Sequence, residues 1–288
     1  KSGRLSSEIF RKKSILMSLV TTGWLYNNLN KVKILDSSWH LPAQNRNALK
    51  EYSNEHILNS IFFDIDKYSE KKTDLPHMLP KIGEWEEIVS NLGISNKDKI
   101  IVYDNSDLIS SCRCWYTFIY FGHDPSLISV LNGGLKKWKQ EGKPVVNDIT
   151  KASKTHYSAK ENKEMVKSKI EIDENISSKK FKVIDARSKE RFEGKVAEPR
   201  SNVKSGSIKY SSCLPFGKLI NKNDNTFMEK NELTLSFKEI IDTKDNNVVF
   251  SCGSGVTASV LALAYSLINN KYTPTIYDGS WSEYGLIK

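Results

Sequence analysis

Long apolar runs are missing from this 288-residue chain, whose longest strongly apolar stretch lies near Val260–Ile268. A membrane-spanning helix needs ~20 such residues, so no membrane partner is expected. Cysteine is scarce: Cys112, Cys114, Cys213 and Cys252 are the only four. They are too few and too irregularly placed for a disulfide framework, which points to a reducing compartment. Cys112 and Cys114 are close enough for half a metal site, but no second Cys/His pair with zinc spacing follows. Neither a metal nor another cofactor is expected. A basic stripe is also lacking. The formal charge is +9, yet the lysines are scattered and not interleaved with aromatics, so no nucleic-acid partner is expected. The charge favours small anionic substrates instead. No apolar signal-peptide core opens the chain. "KSGRLSSEIFRKK" (1–13) is basic and contains serine, which fits the remnant of an organelle transit segment or a flexible tail. The compartments this suggests are a bacterial cytoplasm or a mitochondrial matrix.

What is present is the composition of a globular protein, 39% apolar and 27% charged. The length exceeds what one core usually serves, so two domains are expected. Internal repeats support that. "VKILDSSW" (32–39) reads like "FKVIDARS" (181–188), "IIVYD" (100–104) like "NVVFSC" (247–252), and "VLNGGLKKW" (130–138) like "IYDGSWSEY" (276–284). Three anchors at offsets of 146 to 149 residues argue for a duplicated unit. In each copy the apolar runs are short, β-branched and not alternating, as in strands covered on both faces of a parallel sheet. Helical patterns such as "EWEEIVSNLGI" and "TASVLALAYSLINN" lie between them. The predicted class is α/β: two tandem domains, each a mostly parallel sheet flanked by helices. The expected boundaries are 14–145 for the first domain, 146–164 for a polar linker and 165–288 for the second. Such a chain buries its sheets without a partner, so a monomer is expected.

The stretch with most chemical content is "VVFSCGSGVTASVLALAYSLI" (248–268). It reads as strand, then Cys252-Gly-Ser-Gly-Val-Thr257, then helix. Gly253 and Gly255 permit tight or left-handed turns. Such a loop can aim several N–H groups inward as an anion nest, with the positive end of the helix dipole behind it. A cysteine at its head would sit in a field that favours thiolate, the nucleophilic form. The residues alone leave this open against a small buried cysteine ending a strand. Cysteine phosphatase chemistry is disfavoured, because the phosphate-clamping arginine it needs six positions later is Ala258 here.

The landmarks "LVTTGWLYNNL", "ILDSSWHLP", "FFDIDKYSEKKTDLPHMLP", "VLNGGLKKW", "DARSKERFEGKVAEPR" and "CGSGVTA" together resemble the two-domain rhodanese-like sulfurtransferases, those that use 3-mercaptopyruvate, over nearly the full length. The resemblance implies that Cys252 carries sulfur as a persulfide and that the 253–257 loop (Gly253, Ser254, Gly255, Val256, Thr257) binds the substrate. Ser254, His77 and Asp66 then match the family's serine-protease-like triad, in which a histidine moves a proton and a carboxylate orients it. Thiosulfate-using relatives typically carry Arg-Lys after the cysteine, and Gly-Ser stands here. Mercaptopyruvate is a monoanion whose carboxylate lies away from the transferred sulfur, and planar bidentate binding of that carboxylate suits guanidinium. Arg187 is expected as the clamp, with Arg200 a second candidate. The first copy has no CG-x-G turn after its strand and resembles the family's inactive partner domain. One departure is Ser207, where the second copy would usually carry the histidine seen as His56 in the first; it leaves the packing around Cys213 in doubt. The implied acceptors are small thiols, a thioredoxin-like dithiol protein or cyanide. Alternatives are a thiosulfate:cyanide sulfurtransferase, a non-catalytic binding module and, more weakly, a redox sensor, since an exposed low-pKa cysteine oxidises readily.

Overall fold

A computed structural model of the chain describes residues 18–287. The basic stretch 1–13, and the expected domain start at residue 14, lie outside the described residues. The chain forms two units. The first comprises residues 18–68, Pro80–Asn162 and Lys222–Thr226; the second comprises Ser69–Leu79, Lys163–Asn221 and residues 227–287.

The first unit holds strands β1 (Leu19–Val20), β2 (Lys33–Asp36), β3 (Ser60–Phe62), β4 (Ile100–Tyr103) and β5 (Ile128–Leu131), in the order β1-β5-β4-β2-β3. The second holds β6 (Val166–Lys167), β7 (Lys182–Asp185), β8 (Ser212–Cys213), β9 (Val248–Ser251) and β10 (Ile276–Tyr277), in the order β6-β10-β9-β7-β8. Every pairing in both sheets is parallel. The two orders are one topology written twice, the duplication that the repeated anchors predict. The central strands β4 and β9 are buried along their whole length. That is why they read as unbroken apolar runs rather than as alternating ones. In the first unit Ile34, Ile101, Leu131, Leu135 and Trp138 pack on one sheet face; in the second Ile172, Val183, Val249, Tyr277 and Trp281 do so. The helix Val256–Ile268 is buried nearly all round, as expected of one lacking a polar face.

Register fixes an equivalence that matters for the site. Asp36 pairs with Tyr103 across β2 and β4, and Asp185 pairs with Ser251 across β7 and β9. The next residue beyond each central strand is therefore Asp104 in the first unit and Cys252 in the second. Both sit at the C-terminal end of a parallel sheet, where ligands bind in open α/β folds.

The stretch 146–164, expected as a linker, continues the first unit up to Asn162. Val146 bridges His56, Thr155 N–H donates to Ser90 O (3.0 Å), Lys160 N–H to Phe121 O (2.9 Å) and Asn162 N–H to Tyr120 O (2.8 Å). Tyr157 is buried and its N–H donates to Ser90 Oγ. Polar composition hid this, because the segment is held by backbone hydrogen bonds, polar side chains such as Asn96 and Glu86, and one buried aromatic.

Candidate active site

Strand β9 delivers Cys252 to the start of the loop, and Gly255, at φ +85°, turns the chain into the helix Val256–Ile268. That conformation favours glycine. It brings the Gly255 N–H to 3.0 Å from Cys252 Sγ. The sulfur is buried and stands one turn from the N-terminus of a 13-residue helix, where the dipole favours negative charge. The loop is pinned from behind by the segment Ser280–Ser282. Trp281 N–H donates to Cys252 O (2.9 Å), Ser282 N–H to Gly253 O (2.9 Å) and Cys252 N–H to Ser280 Oγ (3.1 Å).

Ser254 is buried, and its Oγ lies 2.8 Å from His77 Nδ1. His77 comes from the segment Ser69–Leu79, which belongs to this second unit. That segment is closed by a bond from Glu70 N–H to Met78 O and anchored where Leu79 N–H donates to Asp278 Oδ2 (2.8 Å). His77 itself is buried with φ +61°. Asp66 belongs to the first unit, where its Oδ2 accepts a bond from Trp39 Nε1 (3.0 Å).

The arginines have distinct surroundings. Arg187, expected as the carboxylate clamp, is almost wholly buried and used internally. Its Nε and Nη2 reach the Asp185 carboxylate, Nη1 donates to Glu198 Oε1 (2.7 Å) and Nη2 also to Gly206 O (2.7 Å). The guanidinium stacks 4.8 Å over Trp281. Little donor capacity remains for a substrate, and withdrawing it would leave the buried Asp185 carboxylate without its cation. Two other guanidiniums face the loop. A Cβ built on Gly253 would lie 3.2 Å from Arg191 Nη2 and 3.9 Å from Arg200 Nη1. Arg191 is held side-on by Glu198, with Nη2 to Oε2 at 2.6 Å and Nε to Oε1 at 3.2 Å. Sequence reasoning missed Arg191, although it stands four residues past Arg187 in the same quoted motif.

Elsewhere Cys112 and Cys114 lie buried in the helix Ser111–Tyr120, where burial pushes both thiols well above their ordinary range. Burial likewise pushes the Cys213 thiol up to about 11, and its Sγ lies 3.5 Å from Arg187 O. His56 is a structural histidine, its ring nitrogens bonded to Tyr52 O and Asp148 O. Beside Ser207 in the second unit, the Gly206 carbonyl takes the Arg187 bond instead. Among the described residues no group of three or more His, Cys, Asp or Glu could hold a metal ion, and no helix is long and apolar enough to cross a membrane.

The rhodanese-like domain family matches residues 21–141 and 168–286. A relative from Arabidopsis thaliana, thiosulfate/3-mercaptopyruvate sulfurtransferase 1, mitochondrial, is 36% identical over 92% of this chain and 75% of its own length. The chain belongs to the rhodanese-like sulfurtransferases. Mouse 3-mercaptopyruvate sulfurtransferase is 33% identical over 94% of this chain and 92% of its own. Among solved structures of the rhodanese fold, Escherichia coli SseA, a 3-mercaptopyruvate sulfotransferase, matches with a TM-score of 0.82 at 29% identity. That match covers 93% of this chain and all of that one. Tum1 of Saccharomyces cerevisiae matches with a TM-score of 0.84 at 28% identity, over 95% and 98% of the two chains. The protein is thus a sulfur-transferring enzyme.

Only the second unit has a Cys-Gly-x-Gly turn after its central strand. In the first, Asp104 stands where Cys252 stands in the second, and the following helix begins only at Ser111. The Asp104 carboxylate accepts from Ser106 N–H and Ser111 N–H, both at 2.9 Å. The loop that could have cradled a sulfur anion already holds a carboxylate of its own.

Proposed function

We propose that the enzyme takes the sulfur of 3-mercaptopyruvate onto Cys252 and passes it to a thiol acceptor, releasing pyruvate. The observation that carries this reading is Cys252 Sγ under the Gly255 N–H, with the Arg191 and Arg200 guanidiniums converging on Gly253. The Cys252 thiolate attacks the thiol sulfur of the substrate. An S–S bond forms and the C–S bond breaks. The electron pair leaves on carbon as the enolate of pyruvate. The proton of the former thiol, now on the persulfide, is delivered to that carbon, giving pyruvate and an anionic persulfide. The Ser254–His77 pair is placed to relay it. The loop N–H groups and the helix dipole hold the negative charge on sulfur before and after the step.

Arg191 and Arg200 bind the substrate carboxylate, a task suited to planar guanidinium donors. In the second half-reaction an acceptor thiolate attacks the outer sulfur and returns Cys252 as thiolate. Small thiols, a thioredoxin-like dithiol protein or cyanide fit that role. No cation follows Cys252 in the loop, which favours 3-mercaptopyruvate over the compact thiosulfate dianion. The Arabidopsis relative is named as mitochondrial, and four thiols without a disulfide suit the reducing interior of such an organelle.

Two separate half-reactions require ping-pong kinetics. Initial rates at varied 3-mercaptopyruvate and varied thiol should give parallel double-reciprocal lines, with one pyruvate released per sulfur transferred. Intersecting lines would mean a direct transfer without the Cys252 persulfide.

A further inference from the structure

We propose that Ser280 is a positioning residue for sulfur transfer: its hydroxyl holds the backbone N–H of Cys252 and so aims the thiol into the loop. This rests on Cys252 being the sulfur carrier. Ser280 is fully buried and has φ +48°, a left-handed conformation in which a side chain is strained and glycine is usual. The first unit shows what that place otherwise takes. There Leu135 N–H donates to Asp104 O at 2.9 Å, just as Trp281 N–H donates to Cys252 O. The residue before Leu135 is Gly134, at φ +55°. A Cβ on Gly134 would fall 2.5 Å from Asp104 O. The second unit keeps a serine where its counterpart uses glycine.

Strain retained beside a reacting group is a pointer to function when the side chain has a task. Here it has one. Ser280 Oγ donates its hydrogen to Tyr277 O at 2.8 Å. The hydroxyl is therefore turned, and its lone pairs meet the Cys252 N–H at 3.1 Å. Cys252 is thus fixed at its nitrogen by Ser280, at its oxygen by Trp281 and at its sulfur by Gly255. Without the Ser280 hydroxyl the buried Cys252 N–H loses this acceptor, and the residue is held at its oxygen and sulfur alone.

Ser280→Gly separates position from stability, because it removes the hydroxyl and the strain together. The expected result is a melting temperature above that of Ser280→Ala, since relief of the strain offsets part of the cost of the lost Cys252 N–H bond. At saturating 3-mercaptopyruvate, the single-turnover rate of Cys252 persulfide formation should fall about 10- to 100-fold, the range for a displaced reacting group. The half-saturating donor concentration should not change, since the arginines are untouched. Ser280→Ala keeps the strain and loses the hydroxyl, and should show the same rate loss with a lower melting temperature. Persulfide formation at the wild-type rate in either folded variant would overturn the inference. A wild-type protein that forms no persulfide would instead sink the sulfur-carrier reading, and this inference with it.

Discussion

The loops after β4 and β9 leave the same point of the same sheet topology and do opposite things. After β9, the chain turns into its helix within four residues and gives the Gly255 N–H to a cysteine sulfur. After β4, a longer turn wraps its N–H groups around the Asp104 carboxylate. One loop offers its N–H to a thiol sulfur; the other closes its N–H groups on a carboxylate of its own. The contrast continues one strand over. Asp185 is paired with the buried Arg187, whereas its counterpart Asp36 meets neutral partners, Ser38, whose N–H and hydroxyl both bond Oδ1, and the Tyr103 hydroxyl. Burial therefore pushes the Asp36 carboxyl up to about 6. A duplicated fold can thus end in two different loops, and the difference lies in a few side chains at the strand tips.

The largest effect expected is at the nucleophile. Cys252→Ser should lose sulfur transfer by at least about 10³-fold and keep its fold by circular dichroism. In that Cys252→Ser protein, adding Asp104→Cys in the first unit should restore no persulfide, because the loop around it is longer. Transfer by either variant would break the contrast. Next, Arg187→Ala should lower unfolding stability by about 3–5 kcal/mol in denaturant titration, since it strands the buried Asp185 carboxylate without its cation. A loss of substrate affinity at unchanged stability would restore Arg187 to the clamp.

The third test concerns Asp36. Its carboxyl holds a proton to a higher pH in the folded chain than in the unfolded one. Its contribution to stability is therefore full below about pH 4 and lost as pH rises to about 6. Asp36→Asn ionises in neither state. Relative to wild type, it should gain about 3 kcal/mol between pH 4 and pH 7, following one pKa unit as ~1.4 kcal/mol. A pH-independent difference would contradict this. The smallest effect belongs to Arg191→Lys, which keeps the charge but not the fork. KM for 3-mercaptopyruvate should rise about tenfold, roughly 1.4 kcal/mol, with kcat little changed.

Much of this was legible in the sequence. The strand repeats, the glycines around Cys252 and the apolar helix behind it are local patterns, and local patterns survive in one dimension. The choice among Arg187, Arg191 and Arg200 was not legible. It depends on which guanidinium meets Asp185, two residues back, and Glu198, eleven residues on, and on which ones reach Gly253. Residues 146–162 misled for a similar reason: their anchors are main-chain bonds to distant residues such as Ser90 and Phe121, which composition does not encode. The repeat of 130–138 in 276–284 already set Ser280 opposite Gly134, but only the backbone angle shows that the place is left-handed.

The most direct measurement of the central claim is the intact mass of the purified protein after exposure to 3-mercaptopyruvate and, separately, to thiosulfate. A gain of one sulfur from 3-mercaptopyruvate, absent in Cys252→Ser, is the result predicted. A gain from thiosulfate alone would contradict the donor assignment, and no gain from either would contradict the sulfur-carrying role of Cys252 itself.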